Sequence, residues 1–298
     1  MIDLKSAAAA AAFLALPTAA LAQLGTFTSE QRLAVTAGWS GERFADGRPK
    51  VGDGILERMK AVTAEEAWGV LTEAGYRQQF EGGWKEINAG APGRRLVGRV
   101  VTAVFMPLRP DLNDAINKAG AAEKRVGRGQ NSWVIDTLQS GDVLVVDLYG
   151  KIDKGTFIGD NLGTSIYAKT GRGVVVNGSV RDLSGILEIE GFHGFVRDFH
   201  PTALADATLV GINVPIRIGG VTVLPGDVVL SDPEGLTFIP PQLAEKVVSS
   251  SEDVRLRDDW GHEMLRQGKY TPGQVDAKWT EAMEKEFEAW AAPRRPKP

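Results

Sequence analysis

The pattern of hydrophobic and polar positions predicts a chain in which helices and strands alternate. The segment TAEEAWGVLTEAG, residues 63–75, has apolar residues at helical spacing, begins with a Thr63–Glu66 capping box and ends at a glycine. The segments LVGRVVTAVF (96–105) and DVLVVDL (142–148) are instead rich in β-branched residues, a composition typical of buried strands. This alternation predicts an α/β domain built from layers.

Further elements follow from the same periodicities. Helices are predicted over 53–61, 133–138, 161–169, 241–268 and 274–291. Strands are predicted over 173–178 and near 193–197, 208–213, 220–223, 227–231 and 235–239. The polar residues 23–50, which include Gly and Pro, predict an extended arm, and the charged residues 120–129 predict a loop.

Composition narrows the class of protein. The 298 residues are 43% hydrophobic and 24% charged, which is enough for one large domain or two small ones. A formal net charge of −4 gives no basic excess, so neither nucleic acid nor an anionic membrane is expected as a partner. The absence of Cys excludes disulfides, thiolate metal ligands and a Cys nucleophile.

The first 22 residues have the three regions of a secretory signal peptide. Lys5 precedes an apolar run from about Ala7 to Leu16, and a small-residue Ala-Leu-Ala ends at Ala22. A membrane anchor is the alternative, but the apolar stretch is short, rich in Ala and broken by Pro17. We therefore expect a periplasmic or secreted protein that has no membrane attachment after the signal is cleaved.

Two polar clusters flank the predicted helix 161–169 and strand 173–178. In the first, Gly159 allows close approach of a ligand to the backbone before Asp160 and Asn161, and the start of the helix offers free N–H groups to an anion. The alternative is that Asp160 or Asn161 only caps the helix.

The second cluster, Arg181-Asp182, follows a buried strand and a turn. A carboxylate at that position suits a hard divalent cation, and an Arg beside it suits a substrate carboxylate. The alternative is a helix start, with Asp182 in the first turn and Arg181 solvated. If the strands are parallel, both clusters face one edge of the sheet, where ligands bind in open α/β folds.

Four segments together resemble the RraA-like / 4-hydroxy-4-methyl-2-oxoglutarate aldolase family, some members of which are labelled demethylmenaquinone methyltransferase. The segments are GDVLVVD, GDNLG, GVVVNGSVRD and VTVLPGDVVLSDPEGLTFIP, and the similarity covers roughly 50–265. The resemblance implies a compact α/β/β/α domain that forms a homotrimer or hexamer. Together with the signal peptide and the arm, it gives an expected division into a signal peptide at 1–22, an arm at 23–50, a catalytic domain at 51–250 and a C-terminal helical extension at 251–298.

The resemblance also implies roles for individual residues. Asp182 would hold Mg²⁺ or Mn²⁺, Arg181 would bind the keto-acid, and Asp160 would orient a water that relays protons. An acidic residue from the C-terminal helix of a neighbouring subunit would complete the site, and Asp258 is the favoured candidate. Backbone amides would bind the substrate carboxylate, namely those of Gly159, Asn161 and Leu162.

The expected function is a divalent-metal-dependent, class II lyase. It would cleave a 4-hydroxy-2-keto-acid by a retro-aldol reaction and release pyruvate, with oxaloacetate decarboxylation as a side activity because the same enolate forms. Two alternatives stay open. One is a non-catalytic, protein-binding regulator like the RraA branch of the family, and the other is a different enolate-forming enzyme of sugar-acid or aromatic catabolism.

Overall fold

A computed structural model describes residues 25–88, 95–127 and 129–295, so the predicted signal peptide at 1–22 lies outside the described residues. The α-helices are α1 Ser29–Val35, α2 Asp53–Met59, α3 Ala64–Glu73, α4 Pro110–Ala122, α5 Asn131–Ile135, α6 Asp160–Thr170, α7 Leu183–Leu187, α8 Ala244–Arg266, α9 Pro272–Asp276 and α10 Glu281–Ala291. A 3₁₀-helix spans Pro241–Leu243.

The strands are β1 Phe80–Glu81, β2 Lys85–Ile87, β3 Val97–Pro107, β4 Asp142–Thr156, β5 Val174–Val180, β6 Gly194–Phe199, β7 Ala207–Ile212, β8 Ile216–Ile218, β9 Val221–Val223, β10 Val228–Asp232 and β11 Gly235–Ile239. The main sheet has the order β1-β11-β10-β3-β4-β5-β6-β2, with β7 added to β3, and β8 and β9 form a separate pair. Strands β3 to β6 are parallel neighbours, and the remaining pairings of the sheet are antiparallel.

Alternate residues of the parallel strands enter two different cores, as expected for strands buried on both faces. Val101 and Leu144 pack under α4 to α7. Val100 and Val145 point the other way and pack against the β8–β9 pair. A third core lies between β10–β11 and the helices α2, α3 and α8. These layers confirm the predicted α/β/β/α class.

Local signals in the sequence account for the helices that were predicted well. The Thr63 side chain accepts a hydrogen bond from Glu66 N, and the Glu66 carboxylate accepts from Thr63 N at 2.7 Å, which is the predicted capping box. Gly75 follows α3 with φ of +89°, a left-handed conformation that favours glycine. Helix α6 also lies where the sequence placed it.

Three expectations from the sequence are wrong in part. The arm at 23–50 is not wholly extended, because a Thr28 capping box starts helix α1 inside it. The loop predicted at 120–129 begins only after Ala122, since α4 continues through its Ala-rich end. The helix predicted at 274–291 is two helices, α9 and α10, and the short strands β1, β2 and β8 were not predicted.

The arm is anchored in the main domain by a buried ion pair. Arg48 donates to both carboxylate oxygens of Asp142, at 3.1 and 3.2 Å, and neither side chain is exposed to solvent. The Arg48 guanidinium also stacks on the Phe44 ring and bonds Asp46 at 3.0 Å. Removing one member would leave the other charge buried without its partner, so the arm is an integral part of the fold.

The C-terminal helices have a small core of their own. Trp260 of α8 packs against Trp279 and Phe287, with ring centroids 4.6 and 6.1 Å apart respectively. The other end of α8, at Val247 and Val248, packs in the core formed with α2 and α3. The domain boundary set at residue 250 therefore lies within one continuous helix. None of the helices in the described ranges is long and apolar enough to cross a membrane.

Candidate active site

The two polar clusters meet at the carboxyl ends of the neighbouring parallel strands β4 and β5. The chain leaves β4 at Thr156 and enters α6, with Gly159 as the residue that precedes the helix. It leaves β5 at Val180 and passes through Arg181 into α7. The Arg181 amide donates to Ile158 O at 3.0 Å, which ties the two connections together.

A cavity of about 360 Å³ opens between these connections. Its lining includes Gly159, Asp160, Asn161, Leu162 and Arg181. The structure thus brings together five of the seven residues that the sequence singled out, and Asp182 adjoins the same place through its contacts with Gly159 and Arg181.

Asp182 has a left-handed backbone and a carboxylate that does not cap the helix it precedes. Its φ of +53° and ψ of +42° are left-handed, a conformation that costs a non-glycine residue about 1–2 kcal/mol. It precedes α7, yet its side chain makes no capping hydrogen bond. The carboxylate lies 3.4 Å from Arg181 Nη1, and both side chains are 42% exposed. The capping alternative therefore does not describe what this side chain does.

Gly159 leaves the space that the Asp182 carboxylate occupies. A Cβ at Gly159 would lie 2.4 Å from Asp182 Oδ2, closer than side chains approach one another, and 3.4 Å from Arg181 Cγ. A residue larger than glycine here would therefore displace the Asp182 carboxylate. The close approach of a ligand to the Gly159 backbone stays a prediction.

Asp160 is the first residue of α6, so the capping position belongs to Gly159. Asp160 Oδ1 accepts from Asn161 N at 2.7 Å, which engages one of the three predicted carboxylate-binding amides within the chain. The first amide of the helix that bonds back to a carbonyl is that of Gly163, to Gly159 O. The Leu162 amide therefore remains at the helix start for an anion.

The donor set at Asp182 fits a hydrated divalent cation. The described residues contain no group of three or more His, Asp or Glu side chains that could enclose a metal. Mg²⁺ commonly keeps several waters and takes only one or two carboxylates together with substrate oxygens. A single half-exposed carboxylate beside an open cavity matches that mode, whereas it does not match an all-protein cage.

Asp258 lies on α8, away from the cavity lining of its own chain. Partial burial raises its pKa, His262 opposes this effect, and the negative charges of Glu66, Asp259 and Glu65 add to it. Its expected role was at the site of a neighbouring subunit, and that role stays a prediction.

Part of the cavity wall was not found from the sequence. Asn131 and Ser132 of α5 line one side, and Ala203 and Leu204 line another. Asn131 is buried and donates to Phe157 O at 2.7 Å, so it holds the strand end that leads into the site. Its position directly after the charged segment 120–129 was the only local signal.

Comparison with known proteins finds similar sequences and structures. The family model described as RraA-like, Aldolase/RraA, matches residues 61–238. A protein of Thermus thermophilus named 4-hydroxy-4-methyl-2-oxoglutarate aldolase is 33% identical over 108 residues, which cover 36% of this chain and 64% of the relative. Protein DlpA of Legionella pneumophila is 27% identical over 181 residues, 60% of this chain and 27% of its own length.

Solved structures share the fold. Streptomyces coelicolor RraAS2, described as an unusual member of the RNase ES inhibitor RraA protein family, superposes with a TM-score of 0.60 at 27% identity. The match covers 72% of this chain and 99% of that structure. An uncharacterised protein of Pseudomonas syringae pv. tomato gives a TM-score of 0.61 at 22% identity, over 80% and 98% of the two chains.

Proposed function

Because this chain belongs to the RraA-like family of aldolase and RraA proteins, we propose that it is a divalent-metal-dependent lyase that cleaves a 4-hydroxy-2-keto-acid and releases pyruvate. The observation that supports this most strongly is the Arg181–Asp182 pair at a cavity of about 360 Å³. A guanidinium and a carboxylate that is not used for capping stand side by side at the carboxyl ends of β4 and β5, where α/β folds bind ligands.

In the proposed reaction the substrate is first bound through its carboxylate and its 2-keto oxygen. The Arg181 guanidinium and the Leu162 amide at the start of α6 bind the substrate carboxylate. Mg²⁺ or Mn²⁺ held by Asp182 would supply Lewis-acid polarisation of the 2-keto oxygen. From the carboxylate, the positive charge of Arg181 would also act on the negative charge that develops on the adjacent 2-keto oxygen, and so it would favour the transition state over the substrate.

Asp160 is assigned to proton transfer. Its carboxylate lines the cavity and would hold the water that takes the proton from the 4-hydroxyl group. As that oxygen forms a carbonyl, the C3–C4 bond breaks, and its electron pair passes to C3 to give the pyruvate enolate. A proton returned to C3 by the same water completes pyruvate. Oxaloacetate would give the same enolate by loss of CO₂.

Two substitutions test the assignment. Asp182→Asn keeps size but loses the charge, so Mg²⁺ or Mn²⁺ affinity by titration calorimetry and pyruvate release should both fall sharply. Arg181→Lys keeps the charge but loses the planar guanidinium. The rate of pyruvate release should therefore fall by an amount that corresponds to a loss of about 2–4 kcal/mol of transition-state stabilisation. Asp276→Asn, an exposed substitution in α9, is the matched control. Unchanged metal affinity and turnover in Asp182→Asn would refute the proposal.

A protein-binding regulator is the second candidate, because RraAS2 shares 27% identity across nearly all of its length. The two functions are separated by assaying the wild-type chain with Mg²⁺ against a panel of 2-keto-acids. Absence of pyruvate from every substrate, together with binding to a ribonuclease, would favour the regulator. Turnover of a sugar-acid or aromatic-ring-derived keto-acid alone would favour the third alternative, another enolate-forming enzyme.

We also propose that the chain acts as a homotrimer or hexamer in which Asp258 of one subunit serves a neighbouring site. Multi-angle light scattering at micromolar concentration should then give three or six times the mass of the chain. A monomeric mass combined with full activity would exclude the shared site.

A further inference from the structure

A second cavity lies at the opposite end of the parallel strands from the candidate active site. Its volume is about 480 Å³, larger than the cavity beside Arg181. It is bounded by the end of α1, the segment that follows α3, the turn before β10 and the 3₁₀-helix. Because Val228 of β10 pairs with Arg99, which in turn pairs with Asp142 at the start of β4, this turn is at the amino ends of the strands.

One carboxyl group in this cavity is buried and has no charged partner. Asp227 is 3% exposed and lines the cavity. Its Oδ2 accepts from Leu224 N at 2.8 Å. Within the described part of the chain, its other oxygen has no hydrogen-bond donor, and no Lys, Arg or His lies within 4.0 Å. Burial raises the pKa of Asp227 to about 7, in keeping with the absence of a neighbouring cation.

A comparison with the other deeply buried carboxylate shows what Asp227 lacks. Asp142 is equally hidden, but Arg48 donates to both of its oxygens. Buried acidic groups are ordinarily paired in this way, because an unpaired charge away from water is costly. The fold therefore supplies Arg48 as a cation for Asp142. At Asp227 the place that such a cation would take is part of the cavity.

The remaining walls suit a small organic ligand better than a metal ion. Val35, Ala37 and Pro241 give apolar surface, and the cavity volume lies within the range usual for small-molecule sites. The rim is polar, because Gln242 Nε2 donates to the Tyr76 hydroxyl at 3.0 Å. Asp227 is the single carboxylate among the lining residues, and Thr36, Gln79 and Thr222 add only neutral polar groups, so this enclosed cavity suits one positive charge better than two.

We propose that this cavity binds a small organic amine, with the ammonium group on the Asp227 carboxylate and the apolar body against Val35 and Pro241. The charge-assisted hydrogen bond would supply the partner that the described part of the fold does not give to Asp227. The proposal does not depend on the lyase assignment, since no residue of this cavity belongs to the candidate active site.

The test uses the full chain and three probes of equal length: n-pentylamine, n-pentanol and pentanoate. Titration calorimetry at pH 8, where the amine is charged, should show pentylamine binding at least about tenfold more tightly than pentanol, with no pentanoate binding. Asp227→Asn, which retains an acceptor for Leu224 N, should remove that preference. The exposed Asp276→Asn should leave it unchanged.

A second variant covers the case in which Asp227→Asn does not fold. Ala37 is exposed at the cavity, so Ala37→Trp fills the space without disturbing a core. It should abolish pentylamine binding and leave pyruvate release unaffected. Equal affinity for pentylamine and pentanol, an unchanged preference in Asp227→Asn, or no binding of pentylamine to the wild-type chain would each overturn the proposal.

Discussion

Replacing Gly159 by Ala would test the candidate active site without changing any of its functional groups. The backbone of Gly159 has φ of −120° and ψ of −164°, an extended conformation that alanine adopts without strain. The effect of the methyl group is therefore steric. It would lie 2.4 Å from Asp182 Oδ2, whereas such contacts are essentially never closer than 3.0 Å.

The carboxylate must then move by roughly 0.6 Å or more to relieve the contact, and a misplacement of about 1 Å at a catalytic group can cost on the order of 10²-fold in rate. We expect pyruvate release by Gly159→Ala to fall by about tenfold to a hundredfold. Mg²⁺ affinity should fall as well, because the moved group is the proposed metal ligand. The thermal midpoint should change little, since the Asp182 side chain is 42% exposed and belongs to none of the hydrophobic cores.

The assay measures three quantities on the same preparation: pyruvate release, Mg²⁺ affinity by calorimetry and the thermal midpoint. Gly69→Ala is the control for pyruvate release and Mg²⁺ affinity, since a Cβ there meets nothing within 4 Å. Its thermal midpoint should rise, because the residue lies in the middle of α3 and alanine favours a helix more than glycine does. If Gly159→Ala retained both metal affinity and turnover, the position of the Asp182 carboxylate would have no functional role. The steric argument would then be refuted.

Two further predictions concern stability. Asp227 keeps its proton in the folded chain up to about pH 7 but loses it near 3.8 when unfolded, so the free energy of unfolding should fall by about 4 kcal/mol between those values. Urea titrations from pH 5 to 8 should therefore show Asp227→Asn gaining stability relative to wild type as the pH rises, and parallel pH profiles would contradict this. Arg48→Met leaves Asp142 buried without its cation and should lower the free energy of unfolding by about 3–5 kcal/mol in urea at pH 7, whereas a loss below 1 kcal/mol would refute the anchoring of the arm.

The parts of the fold that follow from local physics were predictable from the sequence. The β-branched segments at 96–105 and 142–148 became β3 and β4, and the capping box at Thr63 started α3 where expected. The arm was misjudged because its polar composition resembles that of a loop. The buried Arg48 is paired with Asp142, which lies 94 residues further along the chain. The composition of residues 23–50 cannot indicate an ion-pair partner so far away in the sequence.

The sequence predicted which residues lie at the candidate site, but it did not predict their backbone conformations or the walls of the cavity. The order of Gly, Asp and Arg at the ends of two strands indicated one edge of a parallel sheet, and the structure has it. The left-handed conformation of Asp182 was not predictable, because only the junction between β5 and α7 imposes it. The walls at Asn131 and Leu204 come from segments that share no motif with the site.

Asp160 and Asp182, which flank α6 and β5, each contact a glycine, and the glycine in contact with Asp160 is Gly185. A Cβ at Gly159 would strike the Asp182 carboxylate, and a Cβ at Gly185 would lie 2.8 Å from Asp160 Cβ and 3.0 Å from its Oδ2. The Asp182 side chain thus contacts Gly159, which precedes α6, and the Asp160 side chain contacts Gly185, which lies in α7. Gly185→Ala should displace Asp160, the proposed proton-transfer group, and leave the metal ligand in place. Pyruvate release should fall by about tenfold or more while Mg²⁺ affinity stays at the wild-type value. If Gly185→Ala weakened Mg²⁺ binding as much as Gly159→Ala, the two carboxylates would act as one metal site, and the division of roles would be wrong.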